Sequence, residues 1–365
     1  MQQRMVRPST RALTAVVSLA LVAGAACSSN KPASAVRSGG SCQTAKSPVI
    51  TLAAYSTVYD VYGKLTSAFQ DQWKASHNGQ SVIFQSSFGG STTQAQNVAN
   101  GFPADVVALS LAPDVEIVQK AGLITHDWKT QDPDGGIVAT TPVVFDVRSG
   151  NPKGISNWSD LTKPGLSILT PDPAQSGGAK WNIVAAYGAA IRGKVPSAAA
   201  SDPAAAERLL EGIFRNVTVM DKSANDSIKN FQSGNGDVAI SYENQVLLGA
   251  AAGKGDTEVL PPSTVLIQTP AVVVDKNAAS HCVLPIAQAF VKFLHTPDAQ
   301  AIFQSVGDFR PIDPAQAAKA NPDLKQPALQ DAFTADDLGG WDALISDMVF
   351  GPNGAFTVAL KAAKG

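Results

Sequence analysis

The chain has 365 residues, 44 % of them hydrophobic and 16 % charged, with a formal net charge of −2. That is enough apolar sequence for a large core, and enough length for two lobes. The near-neutral balance excludes the basic footprint of a nucleic-acid binder, so no nucleic acid is expected among its partners.

At the N-terminus, Arg4, Arg7 and Arg11 precede an uncharged run from Leu13 to Ala23, then small residues and Cys27. This is the layout of an export signal over residues 1–26. The run is about half of the ~20 apolar residues that a membrane span needs. A cysteine directly after small residues resembles a lipoprotein box, with Gly24 where leucine is more usual. Cys27 is therefore expected to carry diacylglycerol and to become the new N-terminus. Residues 27–47, rich in Ser, Ala, Gly and Lys without periodicity, read as a flexible tether. Cys42 and Cys282 suit a disulfide in an oxidising exterior; two free buried thiols are the alternative.

The folded part opens with an apolar strand from residue 49 to 54, a turn containing Ser56 and Thr57, and a helix with Val58, Val61, Leu65, Phe69 and Trp73 on one face. A second unit follows: a strand at 82–85, the Gly89-Gly90-Ser91 turn with Ser91 as cap, and a polar helix ending near Asn100. A third strand at 105–109 leads through Pro113 and Asp114 into another helix. The alternation continues through a strand at 166–170 into Ser176-Gly177-Gly178, where Val184, Tyr187, Gly188 and Ile191 then mark a helix. It recurs at 217–220 before Ser223-Ala224-Asn225. Such repeats imply parallel sheets covered on both faces, with ligands beyond the carboxyl ends of the strands. Residues 142–147 and 240–244 are candidate crossovers between lobes.

Ser176 is placed to cap its helix, and the two glycines after it lack Cβ atoms, so their unpaired N–H groups can meet a ligand directly. Such a turn is an anion seat; an ordinary capped helix is the plainer alternative. No enzyme centre emerges from the rest of the chain. His77, His126, His281 and His295 are scattered, and no Gly-x-Ser-x-Gly elbow occurs. Residues 249–255 are one short of a phosphate loop and have Gly255 where its Ser or Thr must stand, so they read as a flexible surface loop. No catalytic residue, metal or cofactor is expected, and a surface enzyme acting on phosphate or sulfate esters is the weaker alternative.

Four stretches carry a family resemblance: the seat at 176–182, Gly150-Asn151-Pro152-Lys153-Gly154, the turn ending in Gly90-Ser91, and Val273-Val274-Asp275-Lys276-Asn277. Together they resemble the periplasmic sulfate-binding proteins of ABC importers, over nearly the whole chain after about residue 48. The resemblance implies an α/β, two-lobed periplasmic-binding-protein fold of type II, each lobe a mostly parallel sheet flanked by helices. It implies lobe one at 48–142 plus 245–330, lobe two at 143–244, and C-terminal helices at 331–365 packing across both.

The resemblance also implies a ligand set. Its donors are the N–H of Ser56, the hydroxyl of Ser91, the N–H and hydroxyl of Ser176, and the N–H groups of Gly177, Gly178 and Ala224. Sulfate is a dianion with no proton to give, which suits a seat made of donors. Two departures stand out. Tyr242 stands in place of the family's indole donor and is expected to bind the ligand through its phenol, and Asn225-Asp226 replaces an Arg-Gly pair. The function implied is that of an exported, lipid-anchored monomer on the outer face of the cell membrane. It captures a sulfate ion and hands it to the permease subunits of an ABC transporter. Thiosulfate, molybdate and phosphate are the alternative ligands.

Overall fold

The computed structural model describes residue 42 and residues 46–196, 198–312 and 326–365. The export segment and Cys27 lie outside the described residues. Strand β1 (Val49–Tyr55) runs between β2 (Ile83–Gly89) and β3 (Val106–Ala108), parallel to both. Ile50, Leu52, Ala53 and Ala54 are fully buried, because helices cover both faces of this wing and an alternating pattern would bury polar groups. Those helices include α1 (Tyr59–Ser76), α2 (Ser91–Ala99) and α3 (Ala112–Lys120); a single turn, α4 (Trp128–Gln131), follows.

A second parallel wing consists of β7 (Val238–Tyr242), β5 (Ile168–Pro171) and β6 (Val217–Asp221). Two long strands join the wings: β4 (Ile137–Arg148) and β9 (Ser263–Val273), antiparallel to one another. β3 meets β9 antiparallel and β4 meets β7 antiparallel, so the strand order is β2-β1-β3-β9-β4-β7-β5-β6. The sheet is thus parallel in its wings and antiparallel at its centre.

β4 changes partner in mid-strand. Up to Pro142 it pairs with β9; from Val143 onward it pairs with β7, and from Phe145 also with β8 (Asp256–Val259). Proline has no N–H to give a ladder, so the switch falls where the donor is missing. The return switch comes between β8 and β9.

Helix α5 (Gly177–Ile191) is apolar all round and almost wholly buried, the pattern of a helix inside a layer rather than on a surface. Over it lies the amphipathic α6 (Pro203–Arg215), started by Pro203 and by the Asp202 side chain accepting from the Ala205 N–H. Next come α7 (Ala224–Gln232) and α8 (Glu243–Ala251). α8 includes Gly249, so the segment expected to be a surface loop from residue 249 begins as helix. Three helices follow β9: α9 (Asp275–Ser280), α10 (Leu284–Leu294) and α11 (Pro297–Gly307). Near the C-terminus β10 (Asp331–Phe333) adds to β9. Trp341 meets Trp181 edge-on at 4.6 Å, and Phe356 of the last helix meets Phe214 of α6 at 4.9 Å. Cys42 and Cys282 are each disulfide-bonded. Among the described residues no helix is long and apolar enough to cross a membrane.

Candidate anion-binding site

The starts of α2, α5 and α7 meet at one place. The Thr93 N–H donates to the Gln175 carbonyl at 3.1 Å, tying the first turn of α2 to the turn before α5. A Cβ on Gly90 would lie 2.4 Å from that carbonyl and 2.9 Å from the Lys222 carbonyl, so only glycine permits the approach. A Cβ on Gly178 would lie 3.3 Å from the Ala224 Cβ, which puts α5 against α7. Ser56 joins them: its Oγ accepts from the Asn225 N–H at 3.3 Å. Residues from four separate turns thus come together.

The unpaired groups at this meeting point are donors. Gly177 and Gly178 form the first turn of α5, where an N–H has no intrahelical carbonyl to reach. In α7 the Asp226 N–H is taken by the Ser223 Oγ and the Asn225 N–H by Ser56, leaving Ala224. Asp226 itself accepts from the Ser223 hydroxyl at 2.7 Å and is exposed. Helix dipoles reinforce these positions with partial positive charge.

Two expected donors are committed elsewhere. The Ser176 N–H donates to the Asp172 carbonyl at 2.8 Å, closing the turn before the helix, so it is not offered to a ligand. Its side chain, 2 % exposed, makes no capping bond, and the hydroxyl stays available. The Ser91 hydroxyl donates to the Asp114 carboxylate at 2.5 Å and accepts from the Ser110 N–H at 2.9 Å. Its proton is therefore committed to Asp114, and Gly90 rather than Ser91 occupies the cap position.

Asp114 also accepts from the Thr92 hydroxyl at 2.9 Å, and the Lys180 ammonium lies 3.6 Å away. Burial raises the carboxyl's pKa, and Lys180 and the hydroxyls oppose that rise. A saturated, charge-paired carboxylate beside an anion seat offers the anion little bare negative charge. Sequence reading passed over Asp114, which looks like any acid in a helix's first turn, and Ser110. The available signal was position: Ser110 follows the carboxyl end of β3, where ligand-facing turns gather.

Tyr242 is 1 % exposed, and its hydroxyl has no partner among the described residues. Burial pushes its pKa up, so the phenol keeps its proton and remains a donor. Beside the seat opens a cleft of about 750 Å3, lined in part by Tyr59, Phe88, Lys222, Lys229 and Lys254. Ser56, Gly90, Gln175 and Asn225 line it too, so they separate the open cleft from the buried seat.

The histidines do other work. His126 bonds Asp275 at 2.7 Å, His281 bonds Asp105 at 2.7 Å and His295 bonds Asp134 at 3.0 Å, while His77 stacks on Trp73. Among the described residues no group of three or more His, Cys, Asp or Glu side chains is placed to hold a metal ion.

Fold and seat together define a class: a solute-binding protein with a seat of N–H groups at converging helix starts. The chain belongs to the bacterial extracellular solute-binding protein family, whose model matches residues 50–307. It is 37 % identical over 353 residues to a sulfate-binding protein of Synechococcus elongatus, covering 96 % of each chain. With a sulfate-binding protein of Escherichia coli it shares 39 % identity over 295 residues, 79 % of this chain and 86 % of the other. Among solved structures it is similar to the sulfate-binding protein SubI of Mycobacterium tuberculosis at 36 % identity and a TM-score of 0.71. That match covers 81 % of this chain and 98 % of SubI.

Proposed function

We propose that the chain captures sulfate in this seat and delivers it to the membrane permease subunits of an ABC importer, without chemical turnover. In this reading it is a monomer anchored through lipid on Cys27 to the outer face of the cell membrane, in two lobes at 48–142 plus 245–330 and 143–244. The observation that carries the ligand class is the convergence of unpaired N–H groups from Gly177, Gly178 and Ala224 with the free hydroxyls of Ser176 and Tyr242. The names of the relatives support sulfate as the ion.

The magnitudes suit a scavenger. Hydrogen bonds to a charged group contribute ~1.5–3 kcal/mol each, so five or six amount to roughly 8–18 kcal/mol before opposing terms. Dehydrating and immobilising the ion oppose that total, and a Kd on the order of micromolar or below remains. Isothermal titration of the soluble domain should show sulfate binding at that strength, ahead of thiosulfate, molybdate and hydrogen phosphate. Absence of sulfate binding at concentrations on the order of millimolar refutes the reading. For the anchor, Cys27→Ser should move the protein from the membrane to the medium with its sulfate binding intact.

A further inference from the structure

We infer that the Ser110 hydroxyl is a direct contact of the bound oxyanion, paired with the Tyr242 phenol; the inference rests on the sulfate reading above. The Ser110 backbone is fixed at both ends. Its N–H donates to the Ser91 Oγ at 2.9 Å, and its carbonyl accepts from the Trp181 indole at 2.6 Å. The residue is 1 % exposed. Yet its Oγ has no hydrogen-bond partner among the described residues. A buried hydroxyl left unpaired is destabilising unless a further group meets it.

That oxygen lies against the start of α5. A Cβ on Gly177 would lie 2.1 Å from a Leu111 methyl, 2.2 Å from the Ser110 Oγ and 2.9 Å from the Asp114 carboxylate, and a Cβ on Gly178 would lie 2.9 Å from the Tyr242 hydroxyl. Each of the two consecutive glycines at the start of α5 thus stands against one unpaired hydroxyl, and neither position has room for a side chain. Ser110 and Tyr242 are also neighbours, near enough for Ser110 to hold the phenol's pKa down against burial. If one hydroxyl donates to the other, a proton of the pair is still left for an ion between them and the helix. Ser110 thereby supplies the hydroxyl that Ser91, turned to Asp114, does not.

The test is Ser110→Ala, with sulfate affinity by titration calorimetry and ligand-free melting temperature measured side by side. A contact residue predicts a loss of sulfate affinity of about tenfold or more, with the ligand-free melting temperature unchanged or higher, because an unpaired buried hydroxyl has been removed. Ser110→Cys, which keeps the size and weakens the donor, should follow the same pattern. Parental affinity in both variants overturns the inference, and so does an affinity loss matched by an equal loss of ligand-free stability. A parent that binds no sulfate overturns the functional reading itself and this inference with it.

Discussion

Gly178→Ala separates a ligand role from a structural one, because its effects on binding and on stability differ so widely. Gly178 lies inside α5, so its backbone accepts an L residue without strain, and alanine gains roughly 1 kcal/mol of helix propensity. The new methyl stands 2.9 Å from the Tyr242 hydroxyl and 3.3 Å from the Ala224 Cβ. Comfortable carbon contacts begin near ~3.5 Å, so a shift of a few tenths of an ångström is required, at a cost of about 1–3 kcal/mol in a packed core. The net change in ligand-free stability is then a loss of about 0–2 kcal/mol. Binding changes by more. The methyl covers the approach to the Gly178 and Ala224 N–H groups, two donors worth ~1.5–3 kcal/mol each toward a charged ligand. Sulfate affinity should fall by about two to four orders of magnitude. Calorimetry with sulfate and thermal unfolding without it measure the two quantities. Affinity within about threefold of the parent, a difference below ~0.7 kcal/mol, would mean that the ion does not sit on the start of α5.

Ser176→Ala should lower sulfate affinity by ~1.5–3 kcal/mol while changing ligand-free stability by less than about 0.5 kcal/mol, since the hydroxyl makes no capping bond; a large drop in melting temperature contradicts this. Lys222, Lys229 and Lys254 line the cleft beside the seat with only Asp60 and Asp226 as acids. Their joint change to Gln should slow sulfate association and flatten its dependence on salt in stopped-flow measurements, and an unaltered rate at low salt tells against steering. Asp146 is fully buried opposite Glu258 in the β4–β8 pairing; burial and Asp256 push its pKa up to about 8, and burial with Glu243 pushes Glu258 up to about 7. Both folded-state values exceed the unfolded ones, so the native state holds protons that the unfolded chain has released. Stability is therefore fully present near pH 4 and falls as pH rises toward 8. Melting curves across that range should show the fall, shallower in Asp146→Asn, and a pH-independent melting temperature in the parent refutes it.

The turns were the legible part of this chain. Ser176-Gly177-Gly178, Gly90-Ser91 and Ser223-Ala224 announce themselves because the chemistry of a helix start is local: a missing Cβ, a short polar side chain and a following apolar stripe. The wings of the sheet follow from them, since strand, turn and helix in repetition leave few other arrangements. The antiparallel centre was not legible, because β4 and β9 are apolar runs buried on both faces and read alike in either direction. Within the seat, errors fell where a distant or backbone partner decides. Ser91 is a turn serine by sequence, and only the approach of Asp114 from α3 commits its proton. The Ser176 N–H is committed to the Asp172 carbonyl, a bond no side-chain pattern records. Tyr242 was legible as a hydroxyl in place of an indole; its neighbour Ser110 was not.

Asp114 explains how such a seat tolerates a carboxylate. An anion site built from dipoles gains from having no acceptor exposed, so a bare Asp there would oppose the ligand. This one accepts from Ser91 and Thr92 of α2, and Lys180 of α5 lies close by. The Lys180 contact joins the first parallel wing to the second, as do the Thr93 to Gln175 and Trp181 to Ser110 bonds. With the Asn225 to Ser56 bond and the close approach of Gly178 to Ala224, they bring three helix starts together, positive ends inward, which is unfavourable while nothing lies between them. A dianion at that point reverses the sign of the largest opposing interaction. Its affinity and the closeness of the two wings are therefore linked: whatever strengthens the Asp114 network favours binding, and the bound ion favours the network in return.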